Sequence, residues 1–264
     1  MHPVLYQSDA LTLNSYTIFF LLAWVVGGSV FYLEFRRLGW ELEQMMFVMG
    51  GCIIGAAAGS YLFSVIFVGW EEIPAAIRAM DFSGKTILGG ITGGFIAVEY
   101  TKKRIGYPHS TGDAFALAIP IGHAIGRVGC FLAGCCFGTR CHLPWAVIYP
   151  QGSMAHLSHI NHGFLSATSM ASLPVHPTPI YEIIFNLTLF GLFYIARDNF
   201  KVRGSMFRLY LVLYGSFRLL EEFIRGDSVM PETGIMKPVQ WFLLIAVIYF
   251  GRSYYNNELR TDPE

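Results

Sequence analysis

Residues 114–136, which read AFALAIPIGHAIGRVGCFLAGCC, decide the fold class of this protein. The stretch carries one fully charged side chain, Arg127, and is long enough as a helix to cross a hydrocarbon core about 30 Å thick. A charged side chain inside such a segment is costly, so the first interpretation of Arg127 is a functional one. The stretch predicts a membrane helix that contributes to a site.

Six further apolar stretches are long enough, or nearly so, to cross the same core. They cover residues 17–34, 45–69, 86–100, 180–196, 206–225 and 238–251. Hydrophobic residues make up 54% of the chain and charged residues 14%, with a mean hydropathy of +0.48, whereas soluble domains carry roughly a quarter charged residues. We therefore expect an all-α integral membrane protein with about seven transmembrane helices, forming a single polytopic membrane domain over residues 1–264.

The charge and cysteine contents exclude two other classes of protein. Eighteen basic residues balance eighteen acidic ones, so there is no excess of positive charge for binding nucleic acid. Five cysteines in 264 residues are too few for a scaffold held together by disulfides.

The distribution of lysine and arginine predicts the orientation in the membrane. The even-numbered loops carry only Arg78, Lys85, Arg140 and Lys237, although the fourth loop is by far the longest. Ten basic residues lie in the odd-numbered loops or after the last span, namely Arg36, Arg37, Lys102, Lys103, Arg104, Arg197, Lys201, Arg203, Arg252 and Arg260. Because basic residues are enriched in cytoplasmic loops, we expect the N-terminus outside, the C-terminus in the cytoplasm, and the loop 137–179 in the periplasm.

On this topology, glycines and polar residues from five elements gather in the outer half of the membrane. They are Tyr16, the segment 88–94 (LGGITGG), the segment 122–138, the segment 176–182 (HPTPIYE) and the segment 214–225 (YGSFRLLEEFIR). Close helix packing accounts for most of the paired glycines, such as Gly55 with Gly59 and Gly134 with Gly138. It does not explain a buried arginine beside them.

Three arginines point to an anionic ligand. Arg127 and Arg218 fall in the outer half of the membrane, with Arg225 nearer the interface, and guanidinium groups can bind phosphate in a bidentate manner. The alternative is internal ion pairing, because Glu222 shares a helix face with Arg218 and Arg225, and Glu182 could pair with Arg127. We expect such pairs to form and still to leave room for an anionic lipid headgroup.

The chain resembles the bacterial prolipoprotein diacylglyceryl transferases from about Tyr16 to the final span. The matching segments, in the family's order, are 126–138 (GRVGCFLAGCCFG), 145–150 (WAVIYP), 176–182 and 215–225. The resemblance implies a seven-helix enzyme of the bacterial inner membrane with its site facing the periplasm and the outer leaflet. It also implies that a diacylglyceryl group moves from phosphatidylglycerol to the lipobox cysteine of a prolipoprotein signal peptide, with release of glycerol phosphate.

This scheme assigns roles to individual residues. The expected catalytic residues are Arg127, Arg218, His123 and Tyr16. The expected substrate-binding residues are Gly89, Gly90, Gly126, Gly138, His176, Tyr181, Glu182, Glu222 and Arg225. The arginines would stabilise the negative charge that grows on the departing phosphate, and the scheme requires no metal and no other cofactor.

The acceptor of the thiol proton is left open among His123, His176, Glu182 and Glu222. His123 lies one helical turn before Arg127, and a packed, hydrogen-bonded helix residue is at least as good an interpretation of it. The well-studied members place a histidine where this chain has Leu88.

Those members also have two asparagines and a glutamate where this chain has Cys130, Ala133 and Cys135. Because of these departures two alternatives stay open: a related phospholipid-dependent transferase with another acceptor, and a non-catalytic lipid-binding or transport protein. Transport would require polar groups along a whole pore, whereas here they concentrate in the outer half.

The remaining cysteines and histidines allow more than one interpretation. A disulfide could join Cys141 to Cys135 or Cys136, whereas a thiol relay or a metal site is less favoured because the spacing matches no common zinc pattern. Cys52 is expected in the core. The histidines at positions 156, 159 and 162 could bind a transition metal, but they are more typical of a solvated loop, and we favour a periplasmic lid over residues 137–179.

Overall fold

The structure is a computed structural model that describes residues 4–7, 12–68, 87–107, 109–226 and 236–259. Over these residues a two-stranded antiparallel hairpin, β1 (Val4–Gln7) and β2 (Thr12–Asn14), precedes a series of helices. The α-helices are α1 (Ser15–Arg37), α2 (Leu42–Val68), α3 (Ile87–Arg104), α4 (Gly112–Ala133), α5 (Met154–Asn161), α6 (Thr178–Ala196), α7 (Ser205–Glu221) and α8 (Pro238–Tyr254). A π-helical segment, Tyr255–Leu259, follows α8.

The helical nature of the chain and its suitability for a membrane are confirmed. Four helical segments of the described residues are long and apolar enough to cross a membrane: Ser15–Arg37, Leu42–Phe63, Gly112–Ala133 and Thr178–Asn199. The other three predicted spans correspond to α3, α7 and α8, which have 18, 17 and 17 residues. Seven spans and their orientation stay predictions, and Arg78, Lys85 and Arg260, which entered the charge count, lie outside the described residues.

The chain divides into two compact units, Tyr32–Ser110 and a second formed by Met1–Phe31 with Thr111–Glu264. The single domain expected from the sequence stays a prediction, and the two units are described separately below.

In the unit Tyr32–Ser110, α2 and α3 contact each other through glycines. A Cβ atom built on Gly55 would lie 2.5 Å from the carbonyl oxygen of Gly93, and one on Gly93 would lie 2.7 Å from Cα of Gly59. Any larger residue would push the two backbones apart. Close packing therefore explains these glycines, as the spacing predicted.

In the other unit, α4 is the central element and contacts α6 and α7. Its end differs from the expected span, which ran to Cys136. Gly134 takes a left-handed conformation with φ of 72° and ends the helix after Ala133, an arrangement typical of helix C-termini. The predicted helix packing of Gly134 and Gly138 is wrong, since both residues lie beyond the helix.

The connection between α4 and α6 has its own small core, made of Phe137, Tyr149, Ala155 and Val175. A short antiparallel bridge pairs Val147 with Val175. Burial raises the pKa of Tyr149.

Two histidines of this connection are buried, so the interpretation as a solvated loop is wrong for them. His156 is 2% exposed and its Nε2 lies 2.8 Å from the carbonyl oxygen of Ser169. His159 is 5% exposed, and its Nδ1 accepts a hydrogen bond from the backbone N–H of Leu173 at 3.2 Å. Burial lowers the pKa of His159, and the charge of Arg140 acts in the same direction. These histidines hold the connection together.

Candidate active site

The centre of the site is a buried contact of three side chains from α4 and α6. Nη2 of Arg127 lies 2.7 Å from Oε1 of Glu182. Nε2 of His123 lies 3.0 Å from Oε2 of the same carboxylate and 3.1 Å from Nε of Arg127. Because His123 and Arg127 are four residues apart on one helix, both face Glu182. The pair expected between Arg127 and Glu182 is confirmed, as is the packed, hydrogen-bonded position of His123.

A second buried ion cluster lies at the end of α7. Nη1 of Arg218 lies 2.6 Å from Oε2 of Glu222 and 3.4 Å from Oε2 of Glu221. The ammonium group of Lys237 lies 3.1 Å from Oε1 of Glu222 and donates to its backbone carbonyl oxygen. The predicted pairing of Arg218 with Glu222 is confirmed, and it is joined by a lysine from the start of α8.

A further arginine joins the two clusters: Nη1 of Arg225 lies 4.0 Å from Oε1 of Glu182. The described residues thus bring together three carboxylates, those of Glu182, Glu221 and Glu222, and four cations, those of Arg127, Arg218, Arg225 and Lys237. Guanidinium groups can bind phosphate in a bidentate manner. The arrangement is therefore suited to binding an anionic phosphate group.

Backbone hydrogen bonds tie the segment after α4 to two other parts of the unit. The N–H of Gly138 donates to the carbonyl oxygen of His176 at 2.9 Å, and the N–H of Thr139 donates to that of Ile224 at 2.7 Å. A Cβ atom on Gly138 would lie 2.6 Å from Cβ of His176, so only glycine allows this approach. The segments containing Arg225 and His176 are thus fixed beside the end of α4.

The beginning of α6 adds polar side chains at this edge. Nδ1 of His176 lies 3.1 Å from the hydroxyl of Tyr181, which also accepts a hydrogen bond from Nε1 of Trp145 at 2.8 Å. Tyr181 precedes Glu182 directly. The structure therefore brings together seven of the expected site residues around Arg127 and the end of α4: His123, Gly138, His176, Tyr181, Glu182, Arg225 and Arg127 itself.

Three thiols form another cluster next to Arg127. The sulfur atoms of Cys130, Cys135 and Cys136 all lie within 4.8 Å of one another, and Nη1 of Arg127 lies 3.8 Å from Sγ of Cys130. All five cysteines are free in the structure. The disulfide considered between Cys141 and Cys135 or Cys136 is therefore not formed.

The remaining expected site residues are Tyr16, Gly126, Gly89 and Gly90. Tyr16 is 44% exposed at the start of α1, near Arg127 and the sulfur atoms of Cys130 and Cys135, and its Cα would lie 3.3 Å from a Cβ atom on Gly129. Gly126 has open space where a side chain would lie. Gly89 and Gly90 belong to the unit Tyr32–Ser110, where Gly89 packs against Gly59.

Sequence reasoning missed Lys237 and Glu221 as members of the site. Lys237 was counted as a loop residue because it lies between the sixth and seventh predicted spans. It is fifteen positions from Glu222, a separation at which no helical spacing links the two residues. Glu221 could have been found, since it lies three residues after Arg218, at a distance that places both on one helix face. Both side chains are buried.

Comparisons with known proteins identify the family to which the chain is similar. The family model described as prolipoprotein diacylglyceryl transferase matches residues 3–254. A phosphatidylglycerol–prolipoprotein diacylglyceryl transferase of Clostridium tetani is 29% identical over 262 residues, covering 97% of each chain. Proteins of the same name are 27% identical in Glaesserella parasuis, over 98% of this chain and 96% of theirs, and in Actinobacillus pleuropneumoniae, over 84% and 80%.

Proposed function

This chain belongs to the prolipoprotein diacylglyceryl transferase family, and from that membership and the site we infer that it transfers a diacylglyceryl group from phosphatidylglycerol to the lipobox cysteine of a prolipoprotein. A carbon–sulfur bond forms at the glycerol carbon of the donor while the bond from that carbon to the phosphate oxygen breaks. Glycerol phosphate leaves with the electron pair of the broken bond. The thiol proton goes to a base or to water.

The observation that carries this proposal is the buried guanidinium group of Arg127, which is fixed between Glu182 and His123. Guanidinium groups bind phosphate in a bidentate manner, and the phosphodiester of phosphatidylglycerol carries one negative charge. A second buried guanidinium, that of Arg218, is held by Glu222. Two fixed guanidinium groups support an anionic phospholipid as the donor, and the names of the relatives support phosphatidylglycerol.

We assign the stabilisation of the leaving group to Arg127 and Arg218. As the carbon–oxygen bond breaks, negative charge moves onto the phosphate, and fixed guanidinium groups in a water-poor site stabilise that charge more than they stabilise the ground state. Glu182 and Glu222 hold the two guanidinium groups in place through contacts of 2.7 Å and 2.6 Å.

His123 contributes chiefly by orienting Arg127. Its Nε2 contacts both Arg127 and Glu182, so using it as the base for the acceptor thiol would disturb the central ion pair. His176, Tyr181, Arg225 and the backbone at Gly138 line the edge at which we expect the substrates to enter, together with Tyr16 and Gly126. Substrate binding by Gly89 and Gly90 stays a prediction from the sequence.

We further propose that α1, α2, α3, α4, α6, α7 and α8 cross the bacterial inner membrane, with the N-terminus outside and the site facing the periplasm and the outer leaflet. The surplus of basic residues in the odd-numbered loops supports this orientation. The folded connection between α4 and α6 would then lie outside the membrane as a lid over the site.

The donor side of the proposal is tested by measuring the phosphorylated headgroup that is released. Purified protein is incubated with a lipobox peptide and either phosphatidylglycerol, which would release glycerol phosphate, or phosphatidylethanolamine, which would release ethanolamine phosphate. We expect glycerol phosphate to be released only when the peptide is present, and no release of ethanolamine phosphate. The Arg127→Ala protein should release neither product. Release that does not depend on the peptide would instead indicate a phospholipid hydrolase or a different acceptor.

A further inference from the structure

The three-thiol cluster of Cys130, Cys135 and Cys136 is not used by the mechanism above. Its sulfur atoms lie within 4.8 Å of one another. Three thiolates around Zn²⁺, each about 2.3 Å from the metal in a tetrahedral site, are about 3.8 Å apart. Binding the ion therefore requires the sulfurs to approach by no more than about 1 Å, which small side-chain rotations can supply.

The backbone places the three sulfurs together by a turn that the sequence spacing does not suggest. Cys130 lies in the last turn of α4, and Gly134 reverses the chain in a left-handed conformation. The N–H of Cys135 then donates to the carbonyl oxygen of Cys130 at 3.2 Å. This turn brings two residues from beyond the helix back beside a residue within it.

Cys136 is held in an unusual conformation at this turn. Its φ is 55°, in the left-handed region that non-glycine residues rarely adopt and that costs of order 1 kcal/mol or more. The hydroxyl of Thr178 donates to its carbonyl oxygen, which fixes the strained residue against the start of α6. Retained strain of this kind is found chiefly at functional sites.

The chemistry of the group favours a soft metal ion. Thiolates select zinc or monovalent copper over magnesium and calcium, and three thiolates with Zn²⁺ leave one net negative charge. Arg127, whose Nη1 lies 3.8 Å from Sγ of Cys130, would compensate for that charge. Within the part of the chain that the structure describes, the group has three cysteine members, which corresponds to a zinc site with one position open to a substrate.

We propose that Cys130, Cys135 and Cys136 bind Zn²⁺ and that the fourth position takes the thiol of the acceptor cysteine. The second half of this proposal rests on the proposed transferase function. The proposal differs from the expectation that the transfer requires no metal, and from the view, drawn from residue spacing, that a metal site at the cysteines is less favoured.

The zinc ion would promote the loss of the proton from the acceptor thiol. A free thiol has a pKa of about 8.5, and a thiol that coordinates a metal loses its proton outright. The proton passes to water as the sulfur binds the ion. The bound thiolate then attacks the glycerol carbon, the carbon–sulfur bond forms, and the phosphate leaves toward Arg127 and Arg218. No oxidant or reductant takes part.

The first test measures metal binding by the full-length, reduced protein in detergent. We expect one zinc ion per chain by mass spectrometry, and cobalt loading should give the intense sulfur-to-cobalt absorption of a thiolate site. Serine substitution at position 130, 135 or 136 should weaken zinc binding more than 100-fold. Loss of a residue that only hydrogen-bonds to a metal ligand already lowers metal affinity by about 10- to 100-fold, and loss of a ligand should lower it further. Cys141→Ser, a buried cysteine of the same connection, is the matched control and should bind zinc normally.

The second test concerns the fourth position. A lipobox peptide added to the cobalt-loaded protein without phospholipid should raise the sulfur-to-cobalt absorption by about one third, since a fourth sulfur joins three. The same peptide with serine in place of cysteine should leave the spectrum unchanged. An unchanged spectrum with the cysteine peptide would overturn the acceptor half of the proposal.

Three outcomes separate the zinc proposal from the proposed function. If the reduced protein binds no zinc, or if two of the three cysteines form a disulfide that resists mild reduction, the zinc site is wrong. If protein stripped of zinc transfers the diacylglyceryl group at the full rate, the role of zinc is wrong while the transferase function stands. If zinc binds through the three thiols but no transfer occurs with or without it, the site stands and the transferase function is wrong.

Discussion

Replacing Arg127 by lysine tests the role of the guanidinium group while keeping its charge. In the structure this group reaches three partners at once: Glu182 at 2.7 Å through Nη2, His123 at 3.1 Å through Nε, and the sulfur of Cys130 at 3.8 Å through Nη1. A lysine ammonium is a point charge at the end of a flexible chain. The ammonium group can keep the contact with Glu182. It cannot make the contact with His123 at the same time, and it cannot bind phosphate in a bidentate manner.

The expected loss follows from the contacts that lysine cannot make. We count two hydrogen bonds, the one to His123 and one of the two to the leaving phosphate. Hydrogen bonds of charged groups contribute about 1.5–3 kcal/mol each, so the two together account for about 3–6 kcal/mol. Since each 1.36 kcal/mol is a factor of ten in rate, Arg127→Lys should be slower by about 10² to 10⁴.

The assay is the rate at which a lipobox peptide gains mass in the presence of phosphatidylglycerol. Arg140→Lys is the matched control, because Arg140 is exposed and its guanidinium lies 4.1 Å above the ring of Phe164. Surface changes of this kind stay within about 0.5 kcal/mol, so its rate should change by about twofold or less. Near-normal turnover by Arg127→Lys, in protein that is folded by circular dichroism, would refute the bidentate role.

Three further expectations can be checked independently. His123→Gln should slow transfer by about 10- to 100-fold, as for loss of a supporting group, and Arg218→Ala should slow it far more. An inactive His123→Gln protein together with an active Arg218→Ala protein would contradict the larger role given to Arg218. Gly138→Ala should lower stability by about 1–3 kcal/mol, because its Cβ would lie 2.6 Å from a neighbouring side chain; an unchanged melting temperature would argue against that contact. In a cysteine-free background, an impermeant thiol reagent applied from the periplasm should label a cysteine at exposed His162 and spare one at Lys103, whereas the opposite pattern would invert the topology.

The positions of the helices could be predicted because apolar length is a local property of the sequence. Each of the seven expected spans overlaps one long helix of the structure. The ends were less predictable. The span ending at Cys136 was extended too far because Cys135 and Cys136 continue the apolar run, whereas the left-handed Gly134 ends the helix after Ala133.

The central ion pairs could be predicted in part from helical spacing. Arg218 and Glu222 are four residues apart on α7 and pair as expected. The pair of Arg127 with Glu182 joins two helices, and it was proposed because both groups were placed at the same depth in the membrane. Lys237 was missed because its contact with Glu222 depends on how α8 begins beside the end of α7.

The thiol cluster could not be predicted from spacing. Cys135 and Cys136 follow Cys130 by five and six residues, separations that match neither a helix face nor a common zinc motif. Their proximity arises from the reversal at Gly134 and the left-handed Cys136. Backbone conformations of this kind depend on tertiary contacts, such as the hydrogen bond from Thr178, that a single sequence does not show.

The central claim is that this chain joins a diacylglyceryl group to a cysteine thiol. The most direct measurement is the mass of a lipobox peptide after incubation with the purified protein and phosphatidylglycerol of defined acyl chains. The mass should rise by that of one diacylglyceryl group, and a peptide with serine in place of the lipobox cysteine should not change. No gain in mass by the cysteine peptide, under conditions in which the Clostridium tetani relative modifies it, would contradict the account.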